Sequence, residues 1–95
     1  MRRAAKIDDN QPEIVKALRK IDALVTLLSG VGDGVPDLLV WYRDKWSLLE
    51  VKDGAKPPSA RKLTPDQAKW HALHKDARVF VVSSVEEAIA AVQRD

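Results

Sequence analysis

The stretch that decides the fold runs Pro36-Asp37-Leu38-Leu39-Val40-Trp41-Tyr42-Arg43-Asp44-Lys45-Trp46-Ser47-Leu48-Leu49-Glu50-Val51-Lys52. Residues 37–42 and 46–52 read as strands, rich in β-branched, aromatic and aliphatic side chains, and the charged residues between them predict a hairpin. The connection lacks the Asn-Gly or Asp-Gly pair of the favoured tight turns, so the composition leaves the turn type open. Glu50 and Lys52 stand two apart inside an otherwise apolar strand and so project from one face of it. Charges placed there are costly unless they are paired or bind something. A two-residue loop at Arg43-Asp44 sets Asp37 opposite Glu50, and a loop at Asp44-Lys45 sets it opposite Lys52. Directly opposed residues share a face, so either register gathers Asp37, Glu50 and Lys52. A three-residue loop needs a bulge to do the same.

Outward from the hairpin, residues 11–22 read as a helix with Ile14, Leu18 and Ile21 on one stripe, and Asn10 with Glu13 matches a capping box. Residues 24–28 read as a buried strand, and the glycine-rich segment 30–36 as a loop that bends the chain and delivers Asp37. After a polar connection with Gly54, Pro57 and Pro58, a helix spans 64–75, with Thr64 and Gln67 as a second capping box and Pro65 at its first position. Residues 78–82 form a fourth strand. Ser84, with Glu87 as its capping partner, opens a last helix whose apolar stripe is Val85, Ile89 and Val92. The order αβββαβα predicts an α/β sandwich with a mixed central sheet flanked by helices.

The chain has 95 residues, 45% of them apolar and 32% charged, the composition of one folded domain over residues 1–95. A chain this short gains from a partner that covers apolar surface. It has no cysteine, so disulfides and thiolate metal sites are excluded. No apolar run approaches the roughly 20 residues that span a bilayer. The basic start Met1-Arg2-Arg3-Ala4-Ala5-Lys6 lacks the apolar segment of a secretory signal, and the expected location is the cytoplasm. Net charge is only +2. Lys56, Arg61, Lys62 and Lys69 nevertheless form a basic stretch that can follow a phosphate backbone, as can Lys16, Arg19 and Lys20. Each such patch also reads as an ordinary solvated face.

Two carboxylates side by side repel one another, and a divalent cation relieves that repulsion. Oxygen ligands suit Mg²⁺ or Mn²⁺. Such an ion supplies positive charge against a phosphoryl oxygen, and Lys52 can orient water or neutralise developing charge. The set is suited to phosphodiester hydrolysis. The plainer alternative is a salt bridge between Lys52 and Asp37 or Glu50 on an exposed sheet face.

Pro36-Asp37 followed by Glu50-Val51-Lys52 resembles the PD-(D/E)XK nuclease motif, and αβββαβ matches the common core of that restriction-endonuclease-like superfamily. Pro36-Asp37-Leu38-Leu39-Val40, Leu49-Glu50-Val51-Lys52-Asp53-Gly54 and Leu63-Thr64-Pro65-Asp66-Gln67 together resemble the virus-type replication-repair nuclease (VRR-NUC) family. The resemblance runs roughly from Asn10 to Ala90 and suggests a stand-alone domain of phage or prophage type. It implies metal-dependent DNA cleavage: Asp37 and Glu50 binding the metal with the Val51 carbonyl, and Lys52 catalytic. Glu13 resembles an additional acidic ligand of the family, although the capping box also accounts for it. Gln67, with Trp70 three residues later, resembles a Gln-x-x-x-aromatic motif that adds Gln67 to the catalytic set; its capping role is the other reading. Branched DNA such as a four-way junction, cut by a homodimer, is the substrate the resemblance implies. Trp41 and Asp44 depart from the pattern, standing where small residues, often glycine, are usual. His71 and His74 read as surface or DNA-facing residues and Trp70 as core. A DNA-binding module without activity and a sequence-specific restriction enzyme are the rival readings; the short chain leaves the latter little room for a recognition domain.

Overall fold

The computed structural model describes residues 7–95, so the basic run 1–6 lies outside the described residues. The elements follow in the expected order: α1 (Gln11–Lys20), β1 (Leu24–Leu27), β2 (Leu38–Tyr42), β3 (Lys45–Val51), a short 3-10 turn (Pro58–Arg61), α2 (Pro65–Leu73), β4 (Val79–Val82) and α3 (Val85–Gln93). They form a mixed four-stranded sheet in the order β1-β2-β3-β4. The first three strands are antiparallel neighbours, and β4 runs parallel to β3 after the crossover through α2.

The hairpin turn is the two-residue loop Arg43-Asp44, because Tyr42 pairs with Lys45 and Trp41 with Trp46. Both turn residues have positive φ, 49° and 64°. That is the left-handed pair a tight hairpin demands, here built without the usual glycine. Of the two registers left open by the sequence, the observed one sets Leu38 against Leu49; one step further, Asp37 stands across from Glu50.

Alternation then divides the sheet. Leu38, Val40, Leu49, Val51 and Val82 face α1 and α3, where Ile14, Leu18, Ala88 and Val92 close the core. Burying each aliphatic side chain of this kind contributes about 1.5–3 kcal/mol. The opposite face carries Leu39, Trp41, Trp46 and Leu48, with the two indole rings 4.8 Å apart.

Several local expectations change. α1 stops at Lys20 because Asp22 turns left-handed (φ 69°) and the Asp22 and Ala23 amides bond back to the Arg19 and Leu18 carbonyls. The Asn10–Glu13 capping box does not form. The Asn10 amide donates instead to the Lys52 and Ser83 carbonyls (3.0 and 3.1 Å), tying the start of α1 to the ends of β3 and β4. β1 is an edge strand rather than a buried one: Leu24 and Leu27 are 66% and 56% exposed, since among the described residues it has a neighbour on one side only. Trp70 is half-buried rather than core, and its ring stacks on His74 at 3.7 Å. α2 itself buries no residue.

Candidate metal centre

β2 and β3 bring Asp37 and Glu50 together, and burial makes the pair unusual. Glu50 is 2% exposed, its side chain buried at the floor of the site. Removal from water, then the neighbouring Asp37 carboxyl and its charge, push the Glu50 carboxyl up to about 9. Lys52 opposes that shift, and the Asp8 charge adds to it. Asp37 is fixed from two sides: its Oδ2 accepts from the Val51 amide at 2.8 Å, and its Oδ1 from Ser29 Oγ at 3.4 Å. Ser29 in turn accepts from the buried Gln11 amide at 3.2 Å.

Gln67 joins α2 to this centre. Its Oε1 accepts from Lys52 Nζ at 2.8 Å and from the Thr64 amide at 2.9 Å, and its Nε2 donates to Glu50 Oε2 at 3.3 Å. The two readings of Gln67 are therefore both true at once: it completes the capping box with Thr64 and it holds Lys52 and Glu50. Lys52, 8% exposed, is bound to Gln67 rather than salt-bridged to a carboxylate, unlike the plainer expectation for a sheet-surface pair.

The helical period of α2 corrects the expected motif. Three residues between Gln67 and its partner lead to His71, not Trp70, and residues four apart lie on the same helix face. His71 Nε2 lies 3.8 Å from Glu50 Oε1, and both atoms are buried without a hydrogen-bond partner among the described residues. Burial, then the charge of Lys52 and of His74, hold the His71 ring below its ordinary titration range. Each group is thus biased to its uncharged form, so the contact is not an ion pair. His74 points elsewhere, its Nδ1 against the Trp70 carbonyl at 2.7 Å.

The cavity over the centre, about 290 Å³, is lined by Asp8, Asp37, Glu50, Lys52, Lys56, Ala60, Lys62, Thr64 and Gln67. Asp8 has no counterpart in the sequence reading. It sits in the irregular segment before α1, which Asn10 ties to the sheet, and it pairs with Lys56 at 3.6 Å. Glu13 is exposed and lies in a different groove with Asn10, Asp53 and Arg61. Glu13 is not among the residues that line the Asp37–Glu50 cavity. Of the four expected DNA contacts, Lys56 and Lys62 border the centre, Arg61 lines the Glu13 groove, and Lys69 lies beside Asp33 and Trp70.

Among the described residues, no three His, Asp or Glu side chains stand preassembled as a metal cage. What the centre does offer is two adjoining carboxyls, one with a buried oxygen lacking any partner. An uncompensated buried acceptor of this kind is costly, and a divalent cation would satisfy it and lower the energy of the ionised pair. The donor set therefore fits a hard or borderline cation, with backbone oxygen and water completing its shell.

A mixed sheet with an acidic pair and a lysine on adjoining strands defines the restriction-endonuclease-like class of α/β domain. No protein-family model and no curated protein sequence matches the chain. A solved structure described as a VRR_NUC domain is similar to it at 29% identity and a TM-score of 0.64, covering 92% of this chain and 98% of the other. That likeness supports a VRR-NUC domain, and with it a nuclease-type domain for processing DNA.

Proposed function

We propose that this chain is a metal-dependent endonuclease that hydrolyses phosphodiester bonds in branched DNA, acting in the cytoplasm of a bacterial or phage-infected cell. The observation that carries the reading is Glu50, a buried carboxyl with one unpartnered oxygen beside Asp37 and a lysine held in place by Gln67. Asp37 and Glu50 would hold Mg²⁺ or Mn²⁺, with the Val51 carbonyl as the resemblance implies. When bound, the ion supplies positive charge against the phosphodiester and makes nearby water more acidic.

The chain's own residues supply the rest. Gln67 fixes Lys52 Nζ at 2.8 Å, so the ammonium is positioned before substrate arrives. From there it orients the attacking water or stabilises charge gathering on phosphorus-bound oxygen. Water forms the new bond to phosphorus, and the bond to one sugar oxygen breaks. Lys56 and Lys62 at the cavity rim are placed to meet flanking phosphates.

A four-way junction needs two symmetric cuts, which suits a homodimer. Support for self-association is the sheet face opposite the core, where Leu24, Trp46 and Val81 are 66%, 56% and 46% exposed. A mass measurement in solution checks it directly.

The test of activity is cleavage of a labelled four-way junction and a linear duplex of matched sequence in Mg²⁺, Mn²⁺ or EDTA. Metal-dependent cutting of the junction, absent in Glu50→Ala, is the expected result. A well-folded protein that binds the junction and cuts neither DNA would make it a binding module instead. Cuts fixed by sequence rather than by the branch point would make it a restriction enzyme.

A further inference from the structure

We infer that His71 is a ligand of the metal centre, sharing one cation with Glu50 through Nε2 and Oε1 and biasing the centre toward Mn²⁺ over Mg²⁺. The inference rests on the proposal that Asp37 and Glu50 bind a divalent cation. Its own ground is a pair of atoms on different elements. Glu50 Oε1, on β3, and His71 Nε2, on α2, face each other at 3.8 Å, and neither has a hydrogen-bond partner among the described residues although both are removed from solvent. The separation is too long for a hydrogen bond. It suits one ion bonded to both: two bonds of about 2.1 Å span about 3 Å at a right angle and about 4.2 Å in line.

The surroundings favour this use of the ring. His71 lies one turn along α2 from Gln67, which already bonds Glu50 through the other carboxyl oxygen at 3.3 Å. The helix therefore takes one oxygen of Glu50 with an amide and presents an imidazole to the other. The neighbouring His74, by contrast, is spent on the Trp70 carbonyl and on stacking with its ring. An imidazole nitrogen changes which ion the centre prefers. Mg²⁺ favours oxygen ligands and retained water in a strict octahedron, whereas imidazole suits the later divalent ions.

The experiment titrates Mn²⁺ and, separately, Mg²⁺ into the full metal-free chain by calorimetry, for the wild type, His71→Leu, His71→Asn and Glu50→Ala. Pulsed paramagnetic resonance of the Mn²⁺-loaded protein then reads nitrogen coupling to the ion. Loss of the ring should weaken Mn²⁺ about 10- to 100-fold in both His71 variants, the range for losing a group that tunes a metal site. Mg²⁺ affinity should stay within about threefold, because that ion does not call on nitrogen; its retention also shows that the variants fold. Nitrogen coupling should be present in the wild type and absent from His71→Leu. Equal Mn²⁺ affinity in wild type and both variants, or no nitrogen coupling in the wild type, would overturn the role of His71 while leaving the Asp37–Glu50 centre standing. A wild type that binds neither ion, or a Glu50→Ala protein that binds both unchanged, would instead remove the centre and this ligand with it.

Discussion

Replacing Glu50 with glutamine should make the metal-free protein more stable, although it removes a residue assigned to the active centre. In the native protein the Glu50 carboxyl is pushed from 4.5 to about 9, by burial first and by Asp37 next. The unfolded chain releases that proton near 4.5, so between those values the native state holds a proton the unfolded state has lost. The stabilisation from this group is therefore complete below about pH 4.5 and is lost as pH rises toward about 9. At pH 7 the loss spans about 2.5 units at 1.36 kcal/mol each, or about 3 kcal/mol. Glutamine is neutral in both states and keeps an oxygen for the Gln67 amide, so it escapes the loss. At roughly 4–8 °C per kcal/mol for a domain of this size, the gain in Tm is about 12–24 °C. Thermal melts in EDTA from pH 6.5 to 9 measure it. His71 is shifted in the opposite sense, and its contribution, present above its ordinary 6.5, is lost only as pH falls below that; the chosen window therefore belongs to Glu50. Wild-type Tm should fall across the window and that of Glu50→Gln should not. Mn²⁺ should raise the first and leave the second unmoved. A variant that melts at or below the wild type at pH 7–8, or that keeps the wild-type pH slope, would refute the reasoning.

Changing Arg43-Asp44 to Asn-Gly should raise stability by about 1–2 kcal/mol, since both residues now bear the cost of a left-handed backbone; junction cleavage, at the far end of the hairpin, should be unchanged. The Lys56→Ala, Lys62→Ala double variant should lower DNA affinity and flatten the dependence of log affinity on log salt by up to about 1.8, at about 0.9 for each phosphate no longer neutralised. Arg61→Ala with Lys69→Ala should do less, because those side chains lie in other grooves.

What the sequence made legible was the part governed by short-range rules. Alternation in β3 placed Glu50 and Lys52 on one face, and counting back from Arg43-Asp44 brought Asp37 opposite Glu50. Periodicity and caps gave the element order, and Gln67 stood out through its capping box and its resemblance to a Gln-x-x-x-aromatic motif; that it serves a helix start and a charged centre together is visible only in the folded chain. The rest depended on packing across the fold. Asp8 follows no pattern of its own; it reaches the cavity because Asn10, which had the local look of a cap, bonds the distant Lys52 and Ser83 carbonyls instead. Glu13, on the first turn of α1, lines another groove. His71 was hidden by its apparent redundancy with His74, and only the placement of α2 over β3 distinguishes them. Leu24 and Leu27 read as buried from composition, yet their exposure follows from the edge position of β1, which among the described residues pairs only with β2.

The notch at Gly34 sets where α2 can rest. Gly34 has φ +79°, and a Cβ there would overlap the Asp66 carbonyl in the first turn of α2. The helix thus leans on a loop, while it adds no buried residue to the core. Segments with so little burial open at a lower free energy than the sheet they cover. Gln67 and His71 travel with α2, whereas Asp37, Glu50 and Lys52 stay with the strands. Amide exchange should accordingly run faster along residues 65–73 than in β2 and β3, and any opening of the helix would withdraw Gln67 and His71 while the two carboxyls stay with the sheet.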